Sequence, residues 1–113
     1  MAECIFCRIA AGEVPAQVLH RDPEFLAIAD LRPQAPTHVL VLPRAHWPSL
    51  AAAPAGQAEL LGRLLLCCRD LAAQFGLAEG YRVVLNTGAD GGQTVPHLHL
   101  HLLGGRPLAW PPG

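Results

Sequence analysis

The sequence predicts an α+β fold, an antiparallel sheet of short strands with one dominant helix against one face. Three observations carry this prediction. Residues 57–75 form the one long stretch with helical periodicity. Short β-rich runs on either side of it are separated by turn residues that suit hairpins. Pro96, His97, Leu98, His99, Leu100, His101, Leu102 and Leu103 alternate apolar and polar side chains, the period of a strand with two unlike faces. With 113 residues the chain is expected to make one domain over 1–113, large enough for a core without disulfides.

In chain order, residues 4–11 (CIFCRIAA) place Ile5, Phe6 and Ile9 on one side of one or two helical turns, ended by Gly12. Residues 16–21 and Phe25–Ala29 read as short strands around the turn Arg21-Asp22-Pro23-Glu24. Residues 30–36 (DLRPQAP) are a proline-punctuated loop, and the apolar character of Thr37–Pro43 suits a central strand. Residues 44–54 connect, carrying His46 and Trp47. In the long helix Leu60, Leu61, Leu64, Leu65, Cys68, Leu71, Ala72 and Phe75 make the apolar stripe, with Arg63, Arg69, Asp70 and Gln74 outside it. Gly76 stops the helix, residues 81–86 (YRVVLN) are another strand, and residues 87–94 (TGADGGQT) are a glycine-rich loop running into the histidines. The ending Trp110-Pro111-Pro112-Gly113 is too proline-rich for regular structure.

Composition narrows the function classes. The net charge of −1 and the lack of a basic run argue against a nucleic-acid partner. All eight basic residues are Arg, which excludes a Lys nucleophile or Schiff base. No apolar run approaches the roughly 18 residues of a membrane span. The longest, residues 60–68, contains Arg63, and no signal peptide precedes Cys4, so a cytoplasmic, membrane-free protein is expected. Cys67 and Cys68 read as core or near-core residues.

The histidines carry the chemistry. On a strand, Leu98, Leu100 and Leu102 would face the core, and His97, His99 and His101 would line the other face about 6.6–7 Å apart. That row suits a metal site, or an imidazole cluster for acid, base or nucleophilic work. The middle ring is the best-placed nucleophile, because a neutral imidazole with one nitrogen held as donor attacks through the other. Gly88, Gly91 and Gly92 with Gln93 and Thr94 would offer backbone N–H groups and a hydroxyl to a phosphate, although a hairpin turn explains such a loop as readily. His38 would join the cluster or be structural. Cys4-x-x-Cys7 is either two small residues one turn apart or half of a four-ligand zinc site, with His46 as a sensible third ligand.

The pattern as a whole resembles the Hint branch of the histidine triad family of nucleotide-binding proteins. The segments that carry the resemblance are 30–38 (DLRPQAPTH), Asn86, 90–95 (DGGQTV), 97–103 (HLHLHLL), 103–106 (LGGR) and 110–113 (WPPG), nearly the full chain. It implies a homodimer whose two five-stranded sheets, each with one long and one short helix per chain, join into a ten-stranded sheet. It also implies hydrolysis of the P–N bond in purine nucleoside phosphoramidates, AMP or GMP conjugates of an amine or lysine, through a nucleotidyl-histidine. Under the resemblance His99 is the nucleophile, while His97, His101 and His38 orient it and stabilise charge. Thr94 stands where the family commonly has Ser and keeps the hydroxyl. Asp30 holds the ribose; Ile5, Phe6, Ile9, Ile28 and Leu31 enclose the base; Asn86, Gly92, Gln93, Thr94 and His101 surround the phosphate beside His99. No catalytic cofactor is implied. Cys4, Cys7, His46 and His97 correspond to ligands of a structural zinc in some bacterial members, and such a set leaves no open position for activating water. Pro96 replaces an often aromatic residue, Thr87 departs from a commonly acidic one, and the tail around Trp110 is expected to reach the partner's site. Competing readings are a dinucleoside polyphosphate hydrolase, against which the LGGR and WPPG segments count, a nucleotide-binding or scaffold protein with incidental turnover, and a zinc-binding module.

Overall fold

The computed structural model describes residues 3–113. Two helices, α1 (Ile5–Ala10) and α2 (Ala58–Gln74), flank a sheet of β1 (Val18–Arg21), β2 (Phe25–Ala29), β3 (Thr37–Pro43), β4 (Tyr81–Val84) and β5 (Leu100–Gly104). The strands lie in the order β1-β2-β3-β5-β4, every neighbouring pair antiparallel. This is the α+β architecture expected, with β3 central as its apolar run requires.

Both faces of the sheet are covered. One presents Phe25, Ala27, Val39, Val41, Leu98, Leu100 and Leu102 to Leu64, Cys68, Leu71 and Ala72 of α2. The other packs Leu26, Ile28, Leu40 and Leu42 against Phe6 and Ile9 of α1. The short first helix therefore covers part of the histidine face, where His38, His97 and His99 are buried and His101 is partly exposed. Two expected stripe residues of α2 do not join the core: Leu65 is 55% exposed and Phe75 39%. A periodic stripe can be wider than the sheet it meets, and only the residues directly over β3 and β5 find partners.

The helix ends where glycine permits it. Gly76 takes φ +72°, its N–H donates to the Ala73 carbonyl, and the Leu77 N–H donates to that of Ala72. This paired closure satisfies the last carbonyls and turns Leu77 back into the core. Among the described residues no helix is long and apolar enough to cross a membrane.

Candidate active site and metal centre

The antiparallel register of β3 with β5 sets Leu40 opposite His101 and His38 opposite Leu103, so His38 and His101 share the face under α1. Before Leu100 the chain is outside the ladder: residues 95–97 bend, with the His97 N–H donating to the Val95 carbonyl at 2.8 Å. The Leu98 N–H donates to the Trp47 carbonyl at 2.8 Å, so the approach to the strand pairs with the connecting segment instead of with β3. The expected strand over all three histidines is therefore corrected: only His101 belongs to it, although the alternation persists and Leu98, Leu100 and Leu102 are all in the core.

Nor do the three rings form an even row. His99 and His101 approach to 5.0 Å between centroids, and Phe6 stands edge-on to His99 at 5.1 Å. The ring of His97 turns to His46, 4.8 Å away, and joins a separate cluster. His97 and His99 are 1% and 5% exposed.

Hydrogen bonds assign the proton on each ring. His99 Nδ1–H donates to the carbonyl of His97 at 2.7 Å, which leaves the Nε2 lone pair free. Among the described residues no fully buried side-chain nitrogen or oxygen lacks a partner, so this unpaired Nε2 is reached from solvent. The backbone N–H of Gln34 donates to His38 Nδ1 at 3.0 Å, so the proton of His38 is on Nε2. That Nε2–H points at His101 Nδ1, 2.9 Å away, with Asp30 Oδ2 at 3.4 Å. His101 then carries its own proton on Nε2. The relay runs from Gln34 through His38 to His101 and ends in an N–H donor on the ring whose centroid is 5.0 Å from that of His99.

Burial disfavours the charged form of His38, His97 and His101. It lowers the pKa of His38, with the Asp30 carboxylate partly opposing, and that of His97. His101 is lowered to about 4, by burial first and then by His99 and His38. Asp30, His38 and His101 lie close enough to suggest metal ligation. The Gln34 N–H argues otherwise, because it claims the one lone pair of His38 and leaves a proton where an ion would bind.

The second cluster suits a metal. Cys4 Sγ, Cys7 Sγ, His46 Nδ1 and His97 Nδ1 lie within 4.8 Å of one another. His46 Nδ1 is 3.1 Å from His97 Nδ1, which is 3.3 Å from Cys4 Sγ and 3.6 Å from Cys7 Sγ; Cys7 Sγ is 3.4 Å from His46 Nδ1. A tetrahedral zinc with bonds of about 2.0–2.3 Å needs donor separations of about 3.3–3.8 Å. His97 Nε2–H donates to the Pro43 carbonyl at 2.8 Å, aiming Nδ1 at the other donors. Burial, then the neighbouring Cys4, pushes the Cys7 thiol up, a cost that a bound cation removes. These four residues fit a structural zinc.

The glycine loop is held by hydrogen bonds of its own. The Gly88 N–H donates to Gln93 Oε1, the Gly92 N–H to the Ala89 carbonyl, and the Gln93 N–H to the Gly88 carbonyl. Gln93 Nε2 donates to the carbonyls of Pro48 and Val95. Gly92 and Gln93 thus spend their polar groups holding the loop shut. A Cβ at Gly91 would overlap the Thr87 carbonyl oxygen, which is why glycine stands there. Thr94 is exposed and Asn86 half-buried. Of the residues expected around a base, Phe6, Ile9 and Ile28 are buried in one cluster, while Ile5 is 39% and Leu31 95% exposed. The backbone groups of Gln34, Pro43, Trp47 and Pro48 had no signal in the sequence, since every residue carries them; the prolines at 43 and 48 bracket the segment without naming its role.

The HIT domain family model matches residues 11–108. An uncharacterized HIT-like protein of Synechococcus elongatus is 54% identical over 111 residues, 98% of this chain and 97% of that one. A HIT family hydrolase from Legionella pneumophila has a crystal structure similar to this fold with a TM-score of 0.96 at 48% identity, covering 98% of this chain and 100% of its own. A zinc-bound histidine triad family protein from Mycobacterium smegmatis aligns with a TM-score of 0.79 at 33% identity, over 93% of this chain and 76% of its own.

Proposed function

This chain belongs to the HIT domain family and has the fold of its hydrolases, and from that premise we propose that it hydrolyses purine nucleoside phosphoramidates as a member of the Hint branch. The observation that carries the reading is the proton assignment at His99: Nδ1–H held by the His97 carbonyl, Nε2 bare and open. That is the form in which an imidazole attacks phosphorus.

In this reading Nε2 of His99 attacks the α-phosphorus, the P–N bond to the amine breaks, and the amine leaves with a proton taken from solvent. Nδ1–H stays on the His97 carbonyl and steadies the positive ring of the nucleotidyl-histidine. His101, fixed by His38 as an Nε2–H donor, serves the phosphoryl oxygens. Water then attacks phosphorus and returns His99 with its lone pair, releasing the nucleotide. Asp30 Oδ1 accepts from the Arg32 N–H, which leaves Oδ2 for a ribose hydroxyl. Phe6, Ile9 and Ile28 wall the base, with Ile5 and Leu31 closing over it. Thr94 and Asn86 approach the phosphate, whereas Gly92 and Gln93 brace the loop. Cys4, Cys7, His46 and His97 would hold zinc, which would supply a structural anchor and take no part in the chemistry. A homodimer is part of the proposal, supported by the open edge of β4, which has β5 as its one neighbour.

Substituting His99→Gly tests it. Hydrolysis of an adenosine phosphoramidate is expected to fall at least about 1,000-fold while AMP binding by calorimetry persists. Rapid alkaline quench of the parent enzyme, which preserves a P–N bond to histidine, should trap one nucleotide on His99. Parent-like turnover by the variant overturns the assignment.

A further inference from the structure

The four metal donors differ in their chemistry. Two are imidazoles, inert to mild oxidants; two are thiols three residues apart, Cys4 capping α1 and Cys7 in its first turn, both partly exposed. The Cys7 N–H donates to Cys4 Sγ at 3.4 Å, and the sulfurs lie within 4.8 Å of each other. Residues three apart on a helix hold their Cβ atoms about 5–6 Å apart, against about 3.5–4.5 Å in a disulfide. Cys4 has an extended backbone, φ −76° and ψ 117°, so closing that gap asks for movement at the helix start alone.

What the centre holds together is the backing of the triad. His46 is its ligand from the connecting segment; that segment gives the Trp47 carbonyl to Leu98 and the Pro48 carbonyl to Gln93, and Pro43 at the end of β3, just before it, gives its carbonyl to the His97 ring. His97 is a ligand through its ring and the proton acceptor of His99 through its backbone.

Resting on the proposed hydrolase reading, we infer that Cys4 and Cys7 are a hydroperoxide-sensitive pair whose oxidation to a disulfide expels the zinc and turns the hydrolase down. One thiolate sulfur attacks the peroxide O–O bond and becomes a sulfenic acid, and the hydroxide released is protonated to water. The second thiolate attacks that sulfur, the S–S bond forms, and a second hydroxide leaves and is protonated. Two electrons pass from the sulfurs to the peroxide and two protons are consumed. Zinc retains two of its four donors and dissociates, untying His46 from His97. Cys67 and Cys68 do not compete: they lie on α2, across the sheet, and burial pushes their thiols up to about 11 and about 12.

Zinc-loaded protein treated with hydrogen peroxide provides the test. Expected are release of one zinc per chain to a chromogenic chelator and a mass loss of about 2 Da, the two hydrogens of a disulfide, in the tryptic peptide 1–8. Phosphoramidate hydrolysis should fall about tenfold and return with a thiol reductant plus zinc. Cys7→Ser should show no such mass change. The inference is overturned if the protein takes up no zinc, if zinc survives the treatment, if oxidation falls on peptide 64–69, or if the disulfide forms and turnover is unchanged. Untreated protein inactive on phosphoramidates would sink the functional reading alone, because zinc release and peptide mass still decide the thiol site.

Discussion

His101 shows how one residue carries both fold and chemistry. Its pKa is lowered to about 4 by burial and by two neighbouring imidazoles, against the ordinary 6.5 of the unfolded chain. Above pH 6.5 the ring is neutral in both states and stability is complete. Between about 6.5 and 4 the unfolded chain takes a proton that the folded chain refuses, so stability falls as pH falls. His38 shifts the same way. Urea midpoints should therefore drop from pH 7 to pH 4.5, and His101→Asn should flatten that slope. A parent midpoint constant over this range would contradict the assignment. At this scale the sequence shows which side chains are special, but not who holds their protons. The alternation of His97, His99 and His101 is visible; the Gln34 N–H and the His97 carbonyl, which settle the tautomers, are backbone atoms without a letter. Gln93 is the counterpart, a conspicuous polar residue beside the triad whose amide proves to be occupied by Pro48 and Val95.

Among the elements, β3 and α2 were the most legible. Thr37–Pro43 is a strand at the boundaries its apolar run suggests, and α2 lies within one residue of its expected ends. Long, strongly patterned segments announce themselves. The start of β5 did not, because pairing partners decide where a ladder begins, and the Trp47 carbonyl takes Leu98 out of it. The width of the α2 stripe was also hidden, since periodicity gives a direction and not the breadth of the surface to be met. Leu64 marks its centre at 1% exposure. Leu64→Ala should lose about 2–5 kcal/mol in chemical denaturation, through lost burial and the cavity left behind. A loss below about 1 kcal/mol would mean that α2 is not seated as described.

For the whole molecule, the two apolar clusters make the sheet the wall between a structural side under α2 and a reactive side under α1. The four residues that would hold zinc come from the start of α1, the connecting segment and the approach to β5, so one ion would tie three distant stretches of chain. Removing it with a chelator should lower the melting temperature by several degrees and raise the exchange of the Leu98 amide, both restored by zinc. An unchanged melting curve would mean that the centre braces nothing. Sedimentation should give twice the 12.0 kDa chain mass if the β4 edges pair, and a monomer at micromolar concentration would remove the dimer from the proposal. The stitching between residues 43–48 and the triad has one more consequence. Its acceptors are main-chain oxygens of Pro43, Trp47 and Pro48, so most substitutions at 47 or 48 leave the seam intact. A single residue inserted between 44 and 47 slides every later oxygen out of step with its donor. Here spelling can drift while the count of residues cannot, and a one-residue insertion should do more harm to turnover than any replacement of Trp47 or Pro48 alone.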